Sequence, residues 1–157
     1  MYRFLFMLPI ARKSKRIFKQ LDPVYDVLSP LSYPIIRFVA GVFMIPHGYG
    51  KVFGGIDNTA KFFSSLSIEP ALYFAWYVGL VEFVGGICVA LGLLTRFFSA
   101  QLVGILFVAT FFVHFQNGFF AYKNGYEFPL MWMLIMIAIT IRGGSDVSID
   151  KHLPKEF

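Results

Sequence analysis

Five ionisable side chains stand out in an otherwise apolar sequence: His47, Lys51, Glu82, His114 and Glu127. Histidines and carboxylates exchange protons, and a lysine supplies a compact positive charge. A charge inside a membrane-spanning stretch is costly and normally faces a partner or a water-filled cavity. We therefore predict a ligand or proton site in which His47 and Glu82 are the catalytic, proton-exchanging groups. Lys51, His114 and Glu127 are predicted to bind the ligand, and a purely structural ion-pair network is the alternative.

Three kinds of ligand suit these residue types. A quinone head group needs an acid or base at each carbonyl, which His47, Glu82 and His114 could supply, and a slot lined by phenylalanines. A small anion could instead be carried by Lys51 and the histidines. Haem between the two histidines is conceivable, and the residue types would suit a metal ion. Because the sequence contains no Glu-x-x-His or His-x-x-x-His spacing, we predict no metal site.

The composition excludes an ordinary soluble domain. The chain has 157 residues, of which 57% are hydrophobic and 15% are charged, whereas soluble domains carry about 25% charged residues. Its length suits one domain. The single cysteine, Cys88, cannot form an intramolecular disulfide or a Cys-x-x-Cys redox pair, so we expect a small buried apolar residue there.

Four apolar stretches predict an all-α integral membrane protein, a four-helix bundle. They cover about residues 34–53, 73–94, 97–116 and 128–141, and a crossing takes about 20 residues. The fourth stretch is short for a full crossing. Pro46 is expected to kink the first span, and the sequence GLLTR at residues 92–96 predicts a tight turn between the second and third spans.

Helical periodicity predicts which faces turn inward. The second span carries small residues on both sides of its carboxylate, on one stripe formed by Ala75, Gly79, Glu82, Gly86 and Ala90. Small residues let helices approach closely, so Glu82 should point into the bundle. The inward face predicted for the third span is Ala100, Gly104, Phe107, Phe111 and His114.

Depth along the helices predicts which ionisable groups meet. At a rise of about 1.5 Å per residue, His47 and Glu82 lie at the most similar depth, so we predict that they form a deep pair. Lys51, Glu127 and His114 are predicted to form a shallower layer above that pair.

Two segments are predicted to lie outside the spans. Residues 60–66 could form a short amphipathic helix on the outer surface, capped by the Asp57-Asn58-Thr59 sequence. Residues 1–28 are predicted to lie along the membrane surface as an interfacial helix. Its apolar edge would be Ile10, Ile17, Phe18 and Leu21. The predicted domains are therefore a basic N-terminal segment at 1–30, a four-span membrane domain at 31–150 and a polar tail at 151–157.

The basic residues predict orientation and partners. Ten basic residues flank the spans on the side predicted to hold both termini. The other side has three, Lys51, Lys61 and Lys123. This asymmetry places both termini in the cytoplasm and the protein in the bacterial inner membrane. The basic cluster near the N-terminus adjoins membrane spans, so the expected partner is anionic lipid and not nucleic acid. The expected aromatic belt at the outer interface is Tyr73, Trp76, Tyr77, Tyr122 and Tyr126.

A series of motifs from about residue 36 to residue 150 resembles the DoxX family of small bacterial membrane proteins. The motifs are Arg37, His47-Gly48-x-x-Lys51 with Gly54, Glu82 with Gly85-Gly86, Gly92-Leu-Leu-Thr-Arg96, His114, Gly125-Tyr126-Glu127 and Gly143-Gly144 followed by Ser148-Ile149-Asp150. The resemblance implies a four-span bundle. It also implies a link to the membrane subunit of a thiosulfate:quinone oxidoreductase, or to oxidative-stress and thiol redox systems.

The matched positions divide into two expected groups. Those that would carry a quinone-linked role are His47, Lys51, Glu82, His114 and Glu127, and those expected to be structural are Arg37, Gly48, Gly86 and Arg96. The predicted function is a quinone- or redox-linked membrane subunit, at most one part of an oxidoreductase, with a redox partner subunit and no covalent cofactor. The alternatives are a small-solute carrier without redox chemistry and a scaffold that anchors a soluble partner through its basic N-terminus.

Overall fold

The computed structural model describes residues 17–154, which are helical with no strand among them. These residues fall into two compact units, one ending at Ser32 and the other beginning at Tyr33. The first unit contains α1, Asp22–Leu28, between short 3₁₀ turns at Lys19–Leu21 and Ser29–Leu31. Most of its apolar side chains, including Ile17 and Phe18, are exposed. Ile10 lies outside the described residues, and the location of this segment at a membrane surface stays a prediction.

The second unit contains the helices that follow. They are α2 at Ser32–Gly50, α3 at Ile56–Ser65, α4 at Ala71–Leu91, α5 at Thr95–Asn117 and α6 at Glu127–Arg142. Three helical runs in residues 17–154 are long and apolar enough to cross a membrane: Lys19–Ser65, Ala71–Leu91 and Thr95–Asn117. The chain is therefore a membrane protein. Helix α6 has 16 residues, fewer than the roughly 20 that a crossing takes, so the fourth span stays a prediction.

Helices α2 and α4 touch backbone to backbone through glycines. A Cβ atom on Gly41 would stand 2.4 Å from the amide nitrogen of Ala90, and one on Gly48 would stand 2.2 Å from that of Phe83. Such distances leave no room for any side chain, as in other close helix crossings in membranes. The stripe predicted to face the bundle is buried throughout: Ala75, Gly79, Glu82, Gly86 and Ala90. That prediction is confirmed.

The connection from α2 to α3 differs from the prediction. Helix α2 remains helical through Pro46, and the kink lies at Phe53 and Gly54, where the backbone leaves the helical region. Helix α3 begins at Ile56 and not at residue 60, and Gly55, the residue before it, has no side chain that could cap its start. The predicted cap is wrong because residues 57–59 already lie inside the first turn of α3 and not before it.

The face predicted to point inward on the third span is not the buried face of α5, although Ala100, Gly104 and His114 of that face line the cavity described below. Ala100, Gly104, Phe107 and Phe111 are exposed, and the buried positions of α5 are Thr95, Ser99, Leu102, Leu106 and Thr110. Leu102 and Leu106 share a core with Met133, Met136 and Ile139 of α6. The Thr140 hydroxyl of α6 also donates a hydrogen bond to the Ser99 hydroxyl. The prediction followed the helix face of His114, whereas packing against α6 decides which face of α5 is buried.

At the end of the bundle away from α3, the segment after α6 is fastened to the α4–α5 turn. The turn places Gly92 and Leu94 in the left-handed backbone region. The Asp150 carboxylate accepts hydrogen bonds from the amides of Leu94 (2.6 Å) and Thr95 (3.0 Å) and from the Thr95 hydroxyl (2.5 Å). A distant aspartate therefore caps the start of α5.

Two arginines hold the segment after α6 at the same end of the bundle. Arg37 is buried and donates hydrogen bonds to the carbonyls of Gly144 and, at 2.7 Å, Val147. Arg96 lies against Gly143, with its guanidinium carbon 3.0 Å from where a Cβ would stand. Arg37 thus binds carbonyls of the segment after α6, and Arg96 donates a hydrogen bond of 3.4 Å to the carbonyl of Arg142 at the end of α6. Both arginines lie far along the bundle from the groups described next.

Candidate ligand-binding site

A cavity of about 930 Å³ lies between α3, α4 and α5. Its walls are mainly apolar and aromatic, which is typical of small-molecule sites. Helix α3 contributes Asn58, Thr59, Phe62 and Phe63, helix α4 contributes Phe74, Tyr77, Val78 and Glu82, and helix α5 contributes residues between Ala100 and His114. Lys51 and Ile68 complete the wall.

An ion pair forms one polar part of the cavity wall. The Nζ atom of Lys51 lies 2.5 Å from Oε2 of Glu82. The two side chains are 25% and 11% exposed, respectively, so most of their surface is withdrawn from solvent. Lys51 also donates a longer hydrogen bond, 3.4 Å, to the carbonyl of His47. The pair brings a cation and an anion to a mainly apolar space.

His114 is fixed by the loop that follows α5. Its Nδ1 atom lies 2.7 Å from the carbonyl oxygen of Asn124. A carbonyl oxygen can only accept, so Nδ1 carries the hydrogen, and in the neutral ring Nε2 is the acceptor. His114 also lines the cavity, so this histidine adds a hydrogen-bonding group to its wall.

Two of the ionisable residues on the cavity wall share a backbone feature. Glu82 and His114 each belong to a wide helical turn of the π type, at Val81–Gly85 and Ala109–His114, whereas Lys51 begins the segment whose backbone leaves the helical region at Phe53 and Gly54. Such turns appear mostly as single-turn bulges inside α-helices and are frequent at functional sites. No signal in the sequence predicted these turns, because the residues within them have ordinary helix chemistry.

The predicted pairing of the ionisable groups is wrong. Glu82 pairs with Lys51, and His47 is exposed and does not line the cavity. The buried seam of α2 runs through Met44 and Gly48, and His47 lies beside this seam. Counting depth from backbone positions also ignored the length of the lysine side chain, which lets Lys51 reach Glu82. The catalytic role of His47 stays a prediction.

Glu127 lies outside the cavity and holds the loop between α5 and α6. It begins α6, and its Oε2 atom accepts a hydrogen bond of 2.9 Å from the amide of Ala121. The predicted layer of Lys51, Glu127 and His114 is therefore not formed: Lys51 binds Glu82, whereas Glu127 and His114 fasten the same loop at Ala121 and Asn124. Ligand binding by Glu127 stays a prediction.

Sequence reasoning missed a polar contact across the cavity. The Tyr77 hydroxyl donates a hydrogen bond of 3.1 Å to Oε1 of Gln101, which joins α4 to α5. Both residues line the cavity. An amide within an apolar span usually hydrogen-bonds to a neighbouring helix, so Gln101 was a signal that could have been used.

The connection between α3 and α4 forms part of the cavity wall. Glu69 accepts hydrogen bonds from the amide of Ala71 (2.9 Å) and the hydroxyl of Ser64 (2.8 Å). These two donors, the amide first, hold the pKa of the Glu69 carboxyl below its usual value. Ile68, the preceding residue, lines the cavity, so this small network fixes part of the wall.

Comparison with known proteins assigns the family. The DoxX family model matches residues 33–115, more than half of the chain. The chain belongs to the DoxX family. The matched region includes the α2–α4 contact, Lys51, and the wide turns that carry Glu82 and His114.

Two curated relatives are similar to this DoxX protein. "Putative oxidoreductase CatD" of Bacillus subtilis is 27% identical over 126 residues, which cover 77% of this chain and 86% of the relative. An "Uncharacterized protein" of Haemophilus influenzae is 26% identical over 83 residues, which cover 52% of this chain and 55% of the relative. No solved structure matches the chain.

Proposed function

We propose that this DoxX protein is a multi-pass inner-membrane protein that binds a quinone-type redox ligand in the cavity between α3, α4 and α5. The observation that carries the proposal is the Lys51–Glu82 ion pair, 2.5 Å long, on the wall of a mainly apolar cavity within candidate membrane spans. Ionisable groups at such positions usually serve a ligand or a proton path.

The chemistry of the wall suits an uncharged head group. The Lys51 ammonium can donate a hydrogen bond to a quinone oxygen, and the Glu82 carboxylate and the His114 ring can take up or release the protons that accompany quinone reduction. Because Glu82 already neutralises Lys51, an anion would first have to displace that carboxylate. This favours a quinone over the small-anion alternative.

A partner has to supply the electrons. Reduction of a quinone to a hydroquinone takes two electrons and two protons, and the lysine, glutamate and histidine side chains of the wall transfer only protons. We therefore propose that the protein is the membrane subunit of an oxidoreductase and works with a redox partner subunit. The name of the Bacillus relative, "Putative oxidoreductase CatD", agrees with this role.

The proposed orientation places both termini in the cytoplasm. The end of the bundle opposite α3 carries Arg96 and Arg142, and basic residues favour the cytoplasmic side. The cavity then lies toward the outer side of the membrane. Anionic lipid is the proposed partner of the basic residues near the N-terminus, most of which lie outside the described part of the chain.

The test is the amount of quinone that co-purifies with the full chain in native-lipid nanodiscs, measured by solvent extraction and mass spectrometry. We expect a fixed ratio of quinone to wild-type protein, and a loss of about tenfold or more in Glu82→Gln and in Gly104→Leu, which would fill the cavity. Gly50→Leu is the matched control, because Gly50 is helical, has open space around it and lies outside the cavity.

A further variant tests whether His47 contributes to quinone binding. His47→Ala should keep its quinone if the cavity wall alone binds the ligand, and should lose it if the sequence-based role of His47 is right. Wild-type protein that carries no quinone, or equal quinone in wild type, Glu82→Gln and Gly104→Leu, would contradict the proposal. Thermal unfolding of each variant shows whether a loss reflects the site or the fold.

A further inference from the structure

One face of α5 lines the cavity and also faces outward. Ala100, Gly104, Val108 and Phe112 recur every four residues, which places them on one side of a helix. All four line the cavity and all four are exposed, Val108 by 38% and Phe112 by 66%. The cavity is therefore a cleft that opens along this face of α5.

The length of this cleft is large relative to a membrane. The four positions extend over about 18 Å at 1.5 Å per residue, which exceeds half of a hydrocarbon core of about 30 Å. Helix α5 is itself one of the candidate spans. A cleft of this length on the side of a spanning helix must open at least partly toward acyl chains.

The middle of the cleft has room for a chain. A Cβ atom added to Gly104 would meet no other atom within 4 Å. The opposite wall presents Phe74 and Val78 of α4, which are apolar. Apolar walls favour a hydrocarbon chain over water, since every water molecule held there needs polar partners.

We propose that the cavity opens sideways into the membrane along the α5 cleft, defined by Ala100, Gly104, Val108 and Phe112, and that its ligand is an uncharged amphiphile with a long apolar chain. The head group lies at the Lys51–Glu82 pair and the chain lies in the cleft. This assignment of the chain rests on the proposed function for the identity of the head group, whereas the sideways opening rests on the geometry of α5 alone.

The opening is tested with a fluorescent label in the cleft. Cys88 is the single native cysteine, so Cys88→Ala with Gly104→Cys gives one labelling site, and Cys88→Ala with Gly50→Cys gives the matched control. In lipid bilayers, we expect the label at position 104 to be quenched by nitroxides on lipid acyl chains at least about twofold more than by aqueous iodide. If Gly104→Cys fails to assemble, Ala100→Cys replaces it. Iodide quenching that equals or exceeds lipid quenching would overturn the sideways opening.

The proposed site for the apolar tail of the ligand is tested with two quinones that differ only in their tails. Decyl-ubiquinone should bind the protein at least about tenfold more tightly than tail-less ubiquinone does. Gly104→Leu should abolish that preference, whereas Gly50→Leu should keep it. Equal affinities of the wild-type protein for the two quinones would overturn the proposed binding of the tail in the α5 cleft. If neither quinone binds while lipid quenching persists at position 104, the proposed function falls and the sideways opening stands.

Discussion

Separating the Lys51–Glu82 pair should destabilise the bundle in an asymmetric way. At the observed 2.5 Å and an effective dielectric constant of about 20, the attraction between two unit charges is about 7 kcal/mol before desolvation. Desolvation cancels much of this, and removal of one partner from a buried pair typically costs about 3–5 kcal/mol. The loss in the free energy of unfolding should differ between the two single variants, because the exposed fractions of the two side chains differ.

Lys51→Met leaves the Glu82 carboxylate, 11% exposed, without its cation, so the free energy of unfolding should fall by about 3 kcal/mol. Glu82→Gln leaves the more exposed lysine, which can turn its ammonium toward water, so the loss should be about 1–2 kcal/mol. The double variant should lose less than the two single losses combined, by about 2 kcal/mol of coupling.

The assay is unfolding of the ligand-free protein by sodium dodecyl sulfate in mixed micelles, followed by circular dichroism. Lys61→Met, at an exposed position on α3, controls for the loss of one positive charge and should change stability little. Single losses below about 0.5 kcal/mol, or additive losses in the double variant, would refute the view that this pair is partly buried and coupled.

Three further predictions concern the supports of the site. Asp150→Ala should lower the free energy of unfolding by about 1–3 kcal/mol, since three donors at the start of α5 lose their acceptor; equal stability by thermal unfolding would contradict that. Gly48→Leu should prevent assembly of the bundle, as judged by gel filtration, while Gly50→Leu assembles normally, because only the former position meets the α4 backbone. The pKa of Glu69 is lowered by its two donors, so its contribution is present at neutral pH and lost as the pH falls through that lowered pKa. Hydrogen exchange at the Ala71 amide, compared between wild type and Glu69→Gln across acidic pH, should show this loss only in wild type.

Some of this fold follows directly from sequence periodicity. The stripe around Glu82 has small residues on both sides of one carboxylate. A face with this composition can pack closely against another helix and can also bury the charge. The burial of this stripe was therefore predictable. The helix hairpin at residues 92–96 was also predictable, since Gly92 ends one apolar stretch and the next begins at once.

Other features depend on contacts that no local pattern records. The buried face of α5 is decided by α6, and both faces of α5 are apolar enough to be buried. Asp150 reaches the start of α5 from more than fifty residues away, which no capping rule anticipates. Depth counted at a constant rise takes no account of the wide turns at Glu82 and His114 or of the kink that follows Lys51, and it assigned Glu82 the wrong partner.

The central claim is that a ligand binds against the Lys51–Glu82 pair in the cavity between α3, α4 and α5. Its most direct test is cross-linking of the full chain in native-lipid nanodiscs with a photoreactive decyl-quinone, followed by mapping of the modified peptides by mass spectrometry. We predict labels on residues 74–82 of α4 and 100–114 of α5, which unlabelled decyl-quinone prevents. Labels concentrated on α6, or labels that unlabelled quinone does not reduce, would contradict it.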